Sequence, residues 1–152
     1  MKHRLRTKRK AKSLGNYDST LEQQLHESTL KDWDFHTLKI NYKIEHDYHT
    51  DFIKIVDGIT FICEAKGVFW DSGQASKYKA IKNYLNDDQV FFFLFGDARK
   101  PLMWSKKRKD GSKSTHEEWC IRNGFLWYDL TTKPIPDTST ILLDYAQVME
   151  DS

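Results

Sequence analysis

A chain of 152 residues, 39% hydrophobic and 14% aromatic, suits one small domain with a real core, burying about two-thirds of its unfolded surface. No apolar run approaches the ~20 residues of a membrane span, and the basic start leads into no hydrophobic signal core, so the expected location is the cytoplasm. The net charge is only +2, yet residues 1–17 hold seven Lys/Arg without an acid and residues 99–113 hold seven with one, so the rest of the chain is an acidic body carrying two basic blocks.

In chain order, residues 1–16 read as a disordered basic arm. Asp18 or Ser19 then caps a helix running to about Leu30, and spacing makes Glu22 the reciprocal partner of a Ser19 capping box. Phe35–Ile44 is strand-like, and Asp51–Lys66 is a hairpin of β-branched and aromatic runs around Asp57-Gly58, a signal for a type I′ turn. Gln74–Leu85 carries Ala75, Tyr78, Ile81 and Leu85 at helical spacing. Val90–Phe95 is a buried strand. A basic loop with Gly111 as its flexible point follows, and Thr115 and Glu118 offer a capping box for a helix ending at Gly124. Pro134 and Pro136 lie in a C-terminal extension, 131–152, where Ile141, Leu142, Tyr145 and Val148 line a short helix. The class is α/β. Cys63 and Cys120 lack metal-like spacing and read as reduced core thiols. Trp33, Trp104, Trp119 and Trp127 read as core or interface rather than base-stacking platforms.

The hairpin carries the chemistry. Without a bulge, Asp51 lies directly across from Glu64, with Cβ atoms roughly 4.5–5.5 Å apart on one face. Lys66, two residues on, projects from that face too. Alternation places Ile53, Ile55 and Ile62 on this face and Phe52, Val56, Ile59, Phe61 and Cys63 on the other, so both faces of the hairpin are expected to be buried. Two carboxylates so close raise one pKa unless a cation neutralises them. Oxygen ligands with room for water and phosphate suit Mg²⁺, with Mn²⁺ able to substitute. The plainer alternative is a solvated rim with a surface salt bridge worth about 0–1 kcal/mol.

Beside such a centre, the basic blocks favour nucleic-acid contact over a merely solubilising arm. The candidate contacts are Lys8, Arg9, Lys10 and Lys12 in the arm and Arg99, Lys100, Lys106, Lys107, Arg108, Lys109 and Lys113 in the loop. His46, Asp47 and His49 read as solvated or DNA-facing rather than as a second metal site, with His49 on the parity of Asp51.

Tyr48-His49-Thr50-Asp51-Phe52 with Glu64-Ala65-Lys66-Gly67 and Trp70 resembles the PD-(D/E)xK nuclease motif, in particular that of the bacteriophage endonuclease I family of Holliday-junction resolvases. Ser19-Thr20-Leu21-Glu22 is similar to that family's first helix, and Glu118-Trp119-Cys120 with Asn123-Gly124 to its C-terminal pattern. The likeness covers roughly residues 17–130, expected to form the nuclease domain; Thr50 departs from it, since Pro is usual there. The resemblance implies a restriction-endonuclease-like mixed sheet flanked by helices, in an intertwined homodimer whose first helix is exchanged through a bridge within Leu38–Tyr48. It implies catalytic roles for Glu22, Asp51, Glu64 and Lys66, with Asp51, Glu64, Ala65 and Glu22 as the metal set. The implied substrate is branched DNA, above all the four-way junction, cut in the cytoplasm of the infected host if the chain is phage-encoded. Another PD-(D/E)xK nuclease, restriction-like or acting at transposon ends, and a non-catalytic DNA-binding module are the alternatives.

Overall fold

The computed structural model describes residues 15, 17–36 and 38–152, which fall into two compact units, one reaching to Glu45 and the other spanning His46–Ser152. The arm, apart from Gly15, lies outside the described residues, and with it Lys8, Arg9, Lys10 and Lys12.

In the first unit, helix α1 spans Thr20–Glu27. Ser19 accepts from the Glu22 amide, and Glu22 returns the bond to the Ser19 amide, so the expected capping box is formed. The helix stops at Glu27 rather than Leu30, because Ser28 leaves helical geometry with its hydroxyl on the Gln24 carbonyl. Phe35 stacks on His26, and Tyr17 bonds the same imidazole at 2.7 Å. The strand expected over Phe35–Ile44 does not form: described residues there take no regular structure. A strand needs a partner to satisfy its backbone, and Leu38, Ile40, Tyr42 and Ile44 all stand exposed.

The second unit is built on a four-stranded mixed sheet of β1 (Phe52–Val56), β2 (Ile59–Lys66), β3 (Gln89–Phe95) and β4 (Leu126–Asp129), in that spatial order. Asp57 at φ 50° and Gly58 at φ 78° supply the two positive dihedrals of a type I′ turn. The β1–β2 ladder then runs without a bulge from Val56 opposite Ile59 to Phe52 opposite Cys63. β2 and β4 flank β3 in parallel, each parallel step crossing through a helix: α2 (Ser72–Lys82) and α3 (His116–Asn123).

Side-chain alternation along β3 divides the core. Phe91, Phe93 and Phe95 pack with Ala75 and Tyr78 of α2 and Trp119 and Cys120 of α3. Val90 and Phe92 face the other way, with Leu126, Tyr128 and Ile141. Ile141 belongs to α4 (Thr138–Glu150), so the segment read as an extension supplies the helix that covers the second face, and Tyr128 bonds Asp144 at 2.7 Å. α3 opens on the Thr115–Glu118 capping box and closes at Gly124, φ 66°, as its sequence predicts.

One expectation fails at the edge. Both faces of β2 are buried through Phe61 and Ile62, but Phe52, Ile53 and Ile55 of β1 are 63%, 58% and 65% exposed. β1 has a neighbour on one side only, and the packed helices lie over the inner strands. Among the described residues no helix is long and apolar enough to cross a membrane.

Candidate active site

Glu64 lies near the carboxyl end of β2 and is 3% exposed, although it is ionisable. A buried carboxylate is tolerated only with full compensation, and here it comes from three donors. Tyr48 donates to Oε2, Tyr78 donates to Oε1 at 2.5 Å, and Lys66 Nζ stands 3.0 Å from Oε1. Burial works to raise the Glu64 carboxyl, but the two phenols, the lysine bond and the Lys66 charge outweigh it, holding the group below its ordinary range. Tyr48 and Tyr78 are pushed far up, by burial first and then by the Glu64 bond, so both stay protonated and donate.

A carboxylate offers about four acceptor directions. Three are filled here, which leaves room for one further bond. Asp51 sits just beyond the first pair of the β1–β2 ladder and accepts from the Ala65 amide at 3.0 Å through Oδ2. It is exposed, and among the described residues its second oxygen has no protein partner. Asp51, Glu64 and Lys66 are thus tied to one strand end. The donor set suits a hard cation: oxygens throughout, one carboxylate firmly oriented and the other open to solvent. Cys63 adjoins Glu64 on β2 and so projects from the opposite face, with its thiol pushed up to about 11 by burial and by the Asp51 and Glu64 charges.

Glu22 belongs to the first unit, where its Oε2 accepts from the amides of Asp18 at 2.8 Å and Ser19 at 3.0 Å. Asp18, Glu22 and His36 bring one potential ligand atom each within 4.8 Å of one another, the only such threesome among the described residues. His46, Asp47 and His49 are exposed and join no such group.

The loop cations divide. Lys100, Lys106, Lys107 and Lys109 are exposed, while Lys113 reaches back to the Met103 carbonyl at 3.2 Å. Arg99 grips Asp97 through two bonds of 2.9 and 3.0 Å, and Arg108 grips Glu118, so both guanidiniums are engaged by acids of this chain. Reading the sequence missed the phenol partners of Glu64. Tyr78 was visible only as a core position of α2 and Tyr48 only as part of the motif, yet a carboxylate placed on a buried face demands donors, which was the available signal.

These features define an α/β protein with a carboxylate and ammonium centre at the end of a central strand. The family model described as phage endonuclease I matches residues 3–140, and the chain belongs to that family. It is therefore a nuclease acting on DNA. No curated protein matches the chain.

Proposed function

We propose that the chain is a structure-selective, metal-dependent endonuclease of the PD-(D/E)xK kind that resolves four-way DNA junctions by paired phosphodiester hydrolysis. The observation that carries this reading is the oriented Glu64 carboxylate, bonded to Lys66 at 3.0 Å beside a strand-tied Asp51, in a chain of the phage endonuclease I family. Asp51, Glu64 and the Ala65 carbonyl would hold Mg²⁺, or Mn²⁺ in its place, which supplies Lewis-acid polarisation of the scissile phosphate and an acidified water. Lys66 places an ammonium where charge develops on the attacked phosphate. The phenols fix the Glu64 oxygens, so no reorientation is needed when the substrate enters.

Paired cuts call for two centres, and a homodimer supplies them. Leu38, Ile40, Tyr42 and Ile44 alternate with polar residues and stand 65–81% exposed in the single chain, the pattern of a strand awaiting a partner. In such a dimer the helix bearing Glu22 is exchanged, and Glu22 completes the partner's site. The exposed lysines at 100, 106, 107 and 109 and the basic arm would hold the junction arms by their phosphates. The test is cleavage of a synthetic four-way junction and of a linear duplex of the same sequence, with Mg²⁺ and with chelator. Metal-dependent cutting of the junction alone supports the reading; equal cutting of both, or cutting at one sequence only, would point to a different nuclease of the same chemistry.

A further inference from the structure

We propose that Lys77 is a substrate-binding residue of this centre, an ammonium held by Tyr48 and Tyr78 for a DNA phosphate adjoining the cleaved one. The inference rests on the reading of Glu64, Asp51 and Lys66 as the catalytic group, and deepens it. Lys77 lies in α2, beside the buried Tyr78 and itself exposed. Its Nζ stands 5.3 Å from the centroid of the Tyr48 ring and 5.3 Å from that of Tyr78, within cation–π range of both. These are the two side chains whose hydroxyls hold the Glu64 carboxylate. One pair of rings therefore meets both the carboxylate, through its hydroxyls, and a second cation, through its faces.

The charge of Lys77 is not spent elsewhere. Lys66 is paired with Glu64, and Lys82 donates to the carbonyls of Asn123 and Gly124. Among the described residues the ion pairs are those of Lys66, Arg99 and Arg108, and Lys77 takes part in none. An aromatic face attracts an ammonium without consuming its N–H donors on the solvent side, and so positions it while leaving it able to bind an anion. A bound divalent cation and Lys66 would balance Asp51 and Glu64 at the scissile phosphate, and the neighbouring phosphates of a polyanion call for fixed positive charge beyond these.

The experiment compares Lys77→Met, Lys77→Arg and, on the same helix, Lys79→Met, using full-length protein and a four-way junction. Lys77→Met should raise KM for the junction several-fold with kcat within about twofold, and reduce the magnitude of the log K against log[salt] slope by about 0.9. Lys77→Arg should restore both, Lys79→Met should change neither, and Mn²⁺ affinity measured by electron paramagnetic resonance should be the same in all three. A wild-type KM and slope for Lys77→Met, a loss in kcat alone, or an equal loss for Lys79→Met would overturn the assignment. Failure of the underlying reading shows itself separately, as undiminished cleavage by Glu64→Gln.

Discussion

The Asp51 carboxylate accepts a hydrogen bond from the Ala65 amide at 3.0 Å, which fastens it to the strand that carries Glu64 and Lys66. Asp51 stands outside the regular ladder, so this bond rather than a backbone pair sets its distance from Glu64. Asp51→Asn retains an oxygen for the amide but loses the charge. Asp51→Asn and Glu64→Gln should each weaken metal binding and lower junction cleavage by at least about a hundredfold, the low end for a catalytic group. Lys66→Ala should bind metal and junction and still lose most turnover. Cleavage near the wild-type rate by any of these folded variants would contradict the assignment.

Glu22→Gln separates cap from catalysis. Glutamine at the third helical position still completes a capping box, so stability should change by less than about 0.5 kcal/mol, within the range of a surface substitution. Mixing Glu22→Gln chains with Asp51→Asn chains should regenerate one intact site per heterodimer and restore nicking of one strand. Proven heterodimers without nicking would leave Glu22 as a cap alone.

The basic loop should behave unevenly. Neutralising Lys106, Lys107 and Lys109 together should flatten the salt dependence of junction binding, by about 0.9 in slope for each phosphate no longer neutralised, and deleting residues 1–12 should do the same. Arg108→Ala should act mainly on the loop, whose Glu118 partner it leaves unpaired. Affinity at four or five salt concentrations decides between phosphate-binding and bystander charge.

Gly58 tests the hairpin. A Cβ added there meets nothing within 4 Å, but φ is +78°, so the penalty of Gly58→Ala is purely conformational. It should cost about 1–2 kcal/mol in urea unfolding. No loss would mean that the turn reshapes freely.

His116 adds a pH dependence. Its ring is buried, with Nδ1 against the Lys100 carbonyl at 2.7 Å and Nε2 accepting from the Phe69 amide at 2.8 Å. Burial holds its pKa below the ordinary 6.5. The unfolded chain therefore takes up the proton first, and stability is whole above pH 6.5 and falls as pH drops toward the folded value, by at most about 1.4 kcal/mol per unit. Melting temperatures between pH 7.5 and 5 should show the fall, and His116→Gln should flatten it while lowering stability overall.

The hairpin register was legible because two constraints coincide: Asp-Gly accepts two positive φ values, and the pleat repeats every two residues. Both capping boxes were legible for a similar reason, each being a local exchange of bonds within four residues. β4 was not visible, since its four residues, Leu126–Asp129, carry too little periodicity, and their pairing with Phe92–Phe95 is set by tertiary contact. The phenols on Glu64 were hidden likewise, Tyr48 and Tyr78 lying 16 and 14 residues away. The run from Phe35 to Ile44 has the composition of a strand, but His36 sits at φ 53° and the described residues beyond it have no neighbouring strand to pair with.

The base of the basic loop is fastened twice over. Leu102 bonds Ser114, His116 bonds the Lys100 carbonyl, and Pro101 faces Thr115 in an antiparallel bridge. The imidazole of His116 adds a strut to Phe69, three residues past Lys66. The stretch from Met103 to Lys113 is therefore a finger on a fastened knuckle: a change of length at its tip would leave unaltered the spacing between the knuckle and the strand end that carries Glu64 and Lys66.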